Sequence, residues 1–341
     1  MLVLIVVSQT LILIASCKKS SPIEPPDSPQ EVIDYNPVMV ELDYPSWFPE
    51  MPLSDDNPLT EQGIALGRKL YHEPLLHPQA SMSCSSCHYQ EQSFTINTSG
   101  TAVLPHINLG WSSSFLWNGK VEGRLEDIML FEVAEFFGTD LSKLKNHPNY
   151  PDLFYEAFGD RSITNESCAK ALAQFFRTMI SDNSRFDRYY PGKIQPTLAE
   201  VRGEYIFNSE RGDCFHCHPQ PLFTDNQFHN IGLDSVFDAS NEGRFAVTNN
   251  NSDRGLFKTP TLRNVALTAP YMHDGRFKTL EEVIDHYDHG VHSSSTLDPM
   301  MTKSGKLKGL NLSQEDKANL LAFLLSLTDS SYTTDSNLSK P

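Results

Sequence analysis

Basic residues are scarce in this chain of 341 residues, which has 27 Lys and Arg against 43 Asp and Glu and a formal net charge of −16. A surface of this sign repels nucleic-acid phosphates and anionic lipid headgroups, so neither is an expected partner. The acidic residues either form an ordinary soluble surface or attract a basic redox partner. The remaining composition, 39% hydrophobic and 21% charged, is globular, and the length suggests two domains of ordinary size.

Long apolar runs are missing as well, apart from the N-terminal segment MLVLIVVSQTLILIAS, which is too short for a comfortable transmembrane helix. This segment ends in Ile14-Ala15-Ser16-Cys17, which resembles a bacterial lipobox. Residues 1–17 are therefore predicted to be a lipoprotein-type signal peptide, cleaved before Cys17 with lipidation of its thiol. The segment lacks the usual basic start, and a plain secretory signal with an incidental cysteine is the alternative.

Cysteine is also infrequent, yet four of the six cysteines stand in two CxxCH pentapeptides, CSSCH and CFHCH. In this motif two thiols add to the vinyl groups of a haem, and the adjacent histidine is placed under the iron as proximal ligand. Two such motifs are expected by chance in roughly one comparable chain per hundred thousand. Zinc or disulfides are the alternatives. The sequence thus predicts two c-type haems, attached through Cys84, Cys87, Cys214 and Cys217, with His88 and His218 as proximal ligands.

The pattern around the two motifs predicts a mainly α fold with two cytochrome c-like domains, each with one covalently bound c-type haem. A helix precedes each motif, and the segments GRKLY and GEYIF hold similar places before CSSCH and CFHCH. Residue 313 and the acids after it are typical of a helix N-terminus. Helical patterns cover 60–71, 122–137, 141–158, 166–180, 198–208 and 313–327.

The predicted domain plan has two haem domains between flexible ends. Residues 18–58 are rich in Pro, Ser and Asp and form a tether followed by an extended lead-in. A polar, Pro-bearing stretch at 183–197 suggests the junction between domains. The haem domains are predicted at 59–190 and 191–330, with a tail at 331–341.

Several runs resemble a known family, the bacterial di-haem cytochrome c peroxidases together with the MauG-like di-haem oxidases. They are GRKLYHEPLL, FLWNGKVEGRLEDI, SRFDRYY, CFHCHPQPLFTDNQFHNIG and the long run from GRFAVTNNN through KTPTLRNVALTAPYMHDG to DHYDHG. The resemblance implies that the haem of residues 59–190 is peroxidatic, and that the haem of residues 191–330 relays electrons. Separately, the signal segment and covalent haem attachment predict a periplasmic protein, bound to a membrane only through the lipid anchor.

The same resemblance assigns roles to residues around the haems. Glu135, in EVAEFFG, matches the distal glutamate, which takes a proton from hydrogen peroxide and returns it to the departing oxygen. Trp117, in LWNG, matches the tryptophan between the two haems. Tyr287 matches the second axial ligand of the relay haem, as in MauG-like enzymes. The rivals for that position are Met272, Met300 and Met301.

The chain departs from the family pattern in two places. It lacks the Gly-His-Gly loop with which many members close the peroxidatic iron; His106 is the candidate for a distal ligand in its stead. Without such a ligand, the site would be permanently open. The family also binds calcium through backbone oxygens that match Thr268 and Pro270, but the stretch TAVLP lacks the matching asparagine.

The leading functional hypothesis is reduction of hydrogen peroxide to water at the first haem, with electrons passed through the second haem from a small cytochrome or cupredoxin. A second hypothesis is MauG-like, peroxide-dependent oxidation of a partner protein or organic substrate. A third is a non-enzymatic di-haem electron carrier. Members of the family are often dimers, so a homodimer is a further expectation.

Overall fold

A computed structural model of the chain describes residues 34–96, 102–303 and 309–341. The predicted signal peptide with Cys17, and the tether up to residue 33, lie outside these described residues. Residues Tyr35–Pro341 form one compact unit. Across the described residues, there is no helix with the length and apolar character needed to cross a membrane.

The unit is largely helical, as the sequence predicts. The α-helices are α1 Glu61–Tyr71, α2 Leu125–Phe131, α3 Ser142–Lys145, α4 Tyr150–Phe158, α5 Asn165–Arg177, α6 Arg185–Tyr189, α7 Leu198–Phe207, α8 Phe245–Thr248, α9 Leu280–Asp285 and α10 Gln314–Ser326. Two π-helical turns, Glu132–Phe136 and His286–Gly290, directly follow α2 and α9. Two antiparallel strand pairs join β1 Ser114–Phe115 with β2 Val121–Glu122, and β3 Phe228–His229 with β4 Phe257–Lys258.

The first hydrophobic cluster is built around α1 and α5, which lie so close that only glycine fits between them. A Cβ atom on Gly67 of α1 would lie 1.9 Å from the carbonyl oxygen of Ala171 and 2.8 Å from Cβ of Phe175, both on α5. The predicted inward face of α5 is buried as expected, because its apolar residues recur at helical spacing. This cluster lies next to the CSSCH motif.

The second hydrophobic cluster repeats the same arrangement with α7 and α10. A Cβ atom on Gly203 of α7 would lie 2.0 Å from the carbonyl oxygen of Asn319 and 2.8 Å from Cβ of Phe323, both on α10. Ser313 caps α10 by accepting a hydrogen bond from the amide of Asp316, as predicted. The two helix pairs thus present the two CxxCH motifs in the same way.

Three predicted segments are more ordered than their composition suggested. In the lead-in, Phe48 and Met51 pack against Trp111. The polar stretch at 183–197 contains α6 and therefore is not a simple linker. In the predicted tail, Tyr332 and Leu338 are buried in the first hydrophobic cluster.

The helical pattern at 141–158 is also divided differently from the prediction. It forms two helices, α3 and α4, because the chain turns at Asn146 and restarts with Asn149 before Pro151 at the second position of α4.

Candidate functional site

The CSSCH motif folds as a short 3-10 turn, Cys84–Ser86, followed by the histidine. Nδ1 of His88 lies 2.7 Å from the carbonyl oxygen of Phe94, so this nitrogen carries the proton and donates it. The other ring nitrogen, Nε2, then keeps its lone pair, as a metal-binding histidine requires. Burial lowers the pKa of His88 to about 4, which favours the neutral ring.

The CFHCH motif has the same geometry, with a 3-10 turn at Cys214–His216. Nδ1 of His218 lies 2.9 Å from the carbonyl oxygen of Phe223 and donates to it. Burial again lowers the pKa of this histidine to about 4. Both motifs therefore hold a neutral imidazole in a fixed orientation.

Zinc and disulfides fit this geometry poorly. No disulfide joins the cysteines in the described part of the chain. Of the two motifs, only the second places residues near other metal-binding side chains among the described residues: Cys217 lies close to Asp225 and His229, and His216 lies close to Glu210 and Asp213. Both ring nitrogens of His229 are already engaged, at 2.8 Å from Asp225 and 2.6 Å from Asp298. A four-ligand zinc site is therefore not assembled at either motif within the described residues.

A cavity of about 510 Å³ opens beside the second motif and is lined by its two cysteines and His218. Tyr287 lines the same cavity, and burial, followed by the nearby Cys217 and Cys214, raises the pKa of its phenol. Its three rivals also line this cavity: Met272, Met300 and Met301. The structure brings all four candidate ligands to the second motif, and the choice of Tyr287 stays a prediction.

Two polar side chains in this cavity fit the carboxylates of a haem. His273 is 7% exposed and stacks on Phe257, and both of its ring nitrogens are buried without a hydrogen-bond partner. Lys258 is 8% exposed, and burial lowers its pKa to about 8. Buried polar groups of this kind need an anionic or hydrogen-bonding partner, which the propionates of a haem would supply.

An acid also lies beside the first motif, but it is Glu132 rather than the predicted Glu135. Burial raises the pKa of Glu132 to about 7. The pKa of the Cys84 thiol rises to about 12 through burial and then through the negative charge of Glu132, so the two side chains are close. Glu135 is exposed in the described structure, and its role as the distal acid stays a prediction.

The position of Glu132 follows from the π-helical turn. In this turn the amide of Phe137 donates to the carbonyl oxygen of Glu132 at 2.9 Å, a hydrogen bond that spans five residues. Residues three apart therefore do not share the face that they share in an α-helix. Glu132 lies toward the motif and Glu135 toward solvent.

His106 is not placed as a distal ligand. Its ring stacks on the ring of His88, with centroids 3.5 Å apart and planes 16° apart. Two histidines that bind one iron from opposite faces have the metal between them, whereas these rings are in direct contact. His106, named as a possible distal ligand, therefore lies against the proximal histidine and not opposite it.

Trp117 follows β1 in the first half of the chain but lines the cavity of the second motif. Its indole nitrogen donates to the carbonyl oxygen of Ala102 at 2.8 Å. Its own carbonyl oxygen accepts from the amide of Lys258 at 2.8 Å. The indole is thus held against the second motif by residues of both halves, while its role between two haems stays a prediction.

The residues predicted to hold calcium, Thr268 and Pro270, also line the cavity of the second motif. The hydroxyl of Thr268 donates to the carbonyl oxygen of Val265 at 3.2 Å. The calcium site stays a prediction.

Glu132 could have been found from an internal repeat in the sequence. The run LEDIMLFE, which starts α2, aligns without a gap with LEEVIDHY, which starts α9. This alignment places Glu132 at the position of Tyr287. The structure supports the correspondence, because a π-helical turn follows each of the two helices.

Comparison with known proteins agrees with this architecture. Residues 61–195 match the family model described as di-haem cytochrome c peroxidase. The chain is 32% identical over 293 residues to the methylamine utilization protein MauG of Methylorubrum extorquens, with 81% of each chain covered. It is 30% identical over 326 residues to the cytochrome-c peroxidase IdrP1 of Pseudomonas sp. (strain SCT), with 82% of this chain and 84% of that protein covered.

A solved structure is similar over nearly the whole described chain. It is a MauG-like protein associated with microbial copper homeostasis, which matches with a TM-score of 0.80 and 30% identity over 89% of this chain and 99% of that chain. Sequence and structure thus point to the same group of proteins. The chain belongs to the di-haem cytochrome c peroxidase family.

Proposed function

We propose that the protein reduces hydrogen peroxide to water at a haem held by Cys84, Cys87 and His88. Electrons would reach this haem through a second one, held by Cys214, Cys217 and His218, from a small redox protein. One observation carries the proposal: Glu132, whose pKa burial raises to about 7, lies beside the first motif. A carboxyl group of this pKa can both accept and donate a proton near neutral pH.

The first haem, when bound, would supply the iron that binds peroxide and receives its oxidising equivalents. The side chains around it would transfer the proton and hold the proximal histidine in place. Glu132 takes the proton from the bound peroxide oxygen and returns it to the oxygen that leaves as water. His88 keeps its orientation because its Nδ1 proton is donated to Phe94.

The second site is proposed to relay electrons rather than to bind peroxide. Tyr287 would hold the iron of the second haem together with His218, and Trp117 would carry electrons toward the first site. The acidic surface of the protein suits a basic cytochrome or cupredoxin as the donor. Attachment of c-type haem also leads us to propose a periplasmic location.

A second candidate function is peroxide-dependent oxidation of a partner protein or an organic molecule, as the name MauG among the relatives suggests. Tyr287 favours this candidate, because a tyrosine ligand stabilises ferric iron and lowers the potential of the relay. A lower potential makes the second haem a poorer acceptor of electrons from a cytochrome.

The decisive experiment compares Glu132→Gln with Glu135→Gln in the haem-loaded protein. We expect Glu132→Gln to lower the rate of peroxide reduction by about 100-fold. Glu135→Gln, an identical change on the exposed side of the same turn, should leave this rate unchanged. Haem absorption spectra of both variants report folding and cofactor content. Equal rates in the two variants would remove Glu132 from the mechanism.

The choice of electron donor separates the candidate functions. Peroxide consumption with a reduced small cytochrome supports the peroxidase, whereas consumption only with an organic or protein donor supports the second candidate. Electron paramagnetic resonance of the protein before any reduction tests the third hypothesis, that of a non-enzymatic di-haem electron carrier. Two six-coordinate, low-spin haems that do not react with peroxide would identify an electron carrier.

A further inference from the structure

A phenol and an imidazole are hydrogen-bonded inside the first hydrophobic cluster. Tyr71, the last residue of α1, is completely buried, and its Oη lies 3.1 Å from Nδ1 of His106. The ring of His106 in turn stacks on His88, the proximal ligand proposed for the first haem. One imidazole therefore separates the phenol from the ligand of the first iron.

The direction of this hydrogen bond follows from the distances around Oη. The second acceptor within reach is the carbonyl oxygen of His88 at 3.5 Å, which is long for a hydrogen bond. The phenolic proton is therefore assigned to the shorter contact with Nδ1 of His106, and the imidazole carries its own proton on Nε2. Tyr71 is the donor and His106 the acceptor.

The second half of the chain has an apolar pair in the same place. Phe207 ends α7 as Tyr71 ends α1, each four residues after the glycine of the close helix contact. Leu262 donates its amide to the carbonyl oxygen of Phe223 at 3.3 Å, as His106 does to that of Phe94 at 3.2 Å. Phe and Leu are therefore sufficient to fill these two positions where only packing is required. The polar pair is specific to the half that is proposed to react with peroxide.

We propose that Tyr71, with His106 as its proton acceptor, is a redox-active site that supplies one electron to the first haem after peroxide has reacted there and no electron has arrived from the second. This inference rests on the proposed function. Hydrogen peroxide is a two-electron oxidant. One electron comes from Tyr71, whose proton passes to His106, and the other would come from the haem.

The proton acceptor is what makes this step feasible in a buried site. When the phenol loses an electron its O–H bond breaks, and the proton moves along the hydrogen bond to Nδ1 of His106. The products are a neutral tyrosyl radical and an imidazolium. Without this acceptor the oxidised phenol, which is a far stronger acid than an imidazolium, would have no partner to take its proton.

The experiment is rapid mixing of the full-length, haem-loaded protein with hydrogen peroxide without any reductant, followed by freezing and electron paramagnetic resonance. We expect a radical signal that narrows when the protein contains ring-deuterated tyrosine. Tyr71→Phe, which copies Phe207, should lower the radical yield by at least about ten-fold. His106→Leu, which copies Leu262, keeps the phenol but removes its acceptor and should slow radical formation by about 100-fold.

Two tyrosines of the same cluster serve as matched controls. The phenol of Tyr332 also contacts His106 but donates to its backbone carbonyl oxygen, and Tyr150 is fully buried but donates to Glu73. Tyr332→Phe and Tyr150→Phe should therefore keep the full signal. A purely structural role for Tyr71 predicts a loss of stability in Tyr71→Phe with no loss of radical.

The outcomes separate this inference from the proposed function. An undiminished tyrosine radical in Tyr71→Phe, or peroxide consumption by the unaltered protein without any tyrosine radical, overturns the redox role of Tyr71 and leaves the peroxidase standing. If the unaltered protein does not react with peroxide at all, both proposals fail together.

Discussion

Glu132 and Tyr287 occupy equivalent positions in the two halves of the molecule. Each lies seven residues after the leucine that starts a short helix, and each lies in the π-helical turn that follows. The same backbone thus presents an acid to the first motif and a phenol to the second. We infer that this single difference gives one haem a proton-transfer group and the other an axial ligand.

The first prediction concerns the pH dependence of the reaction with peroxide. Burial raises the pKa of Glu132 to about 7, so its carboxylate form is lost as the pH falls through that value. Because the carboxylate is the base, the second-order rate with peroxide should fall below about pH 7. Stopped-flow measurements from pH 5 to pH 9 test this, and the profile of Glu132→Gln should lose this transition.

A second prediction concerns the ligand of the second iron. Replacing the phenolate donor with a thioether in Tyr287→Met should raise the potential of that haem, on the order of 100 mV. Met272→Leu is the control, since Met272 lines the same cavity. A redox titration followed by visible spectroscopy measures both. If Met272→Leu changes the potential and Tyr287→Met does not, the methionine is the ligand.

Electron transfer between the two sites gives a third prediction. Trp117→Phe should slow reduction of the first haem by the second on the order of ten-fold, because Trp117 lines the cavity of the second motif while its indole donates to Ala102 in the first half. The control is Trp111→Phe, since the indole of Trp111 instead donates to the carbonyl oxygen of Pro49 at 2.8 Å. Flash photolysis of the half-reduced protein measures the rate. Equal effects in the two variants would show a general packing defect.

The fourth prediction tests the close contact between α1 and α5. Gly67→Ala should lower the free energy of unfolding by about 3 kcal/mol, because its Cβ would lie 1.9 Å from the carbonyl oxygen of Ala171. Ala65→Ser, on the exposed side of α1, should change it by less than about 0.5 kcal/mol. Urea denaturation provides the measurement. A small effect of Gly67→Ala would mean that the helices separate at little cost.

Much of the fold was accessible from the sequence, because helices with an apolar face leave a periodic signal. The pattern at 166–180 predicted α5, and Ser313 marked the start of α10. The haem-attachment motifs were equally easy to recognise, because each consists of consecutive residues in the sequence. Prediction and structure differ most in the lead-in, α6 and the C-terminal segment. These segments are polar overall, but each has a few buried aromatic residues, such as Phe186 and Tyr332, that fix it to the core.

The side chains around the first motif were harder to predict. Glu135 was chosen because it matches the family's distal glutamate, whereas the π-helical turn that directs Glu132 toward the motif leaves no periodic signal in the sequence. His106 was named only as a possible distal ligand, because a loop sequence does not reveal on which face of a haem it will lie. Both differences concern the direction of a side chain rather than the existence of an element.

The burial of Tyr332 and Leu338 in the first hydrophobic cluster bears on the order of events during biosynthesis. Gln90, just after the first motif, donates its side-chain amide to the carbonyl oxygen of Asp335 at 2.8 Å. The N-terminal half can therefore reach its final packing only after the ribosome has translated the whole C-terminal half.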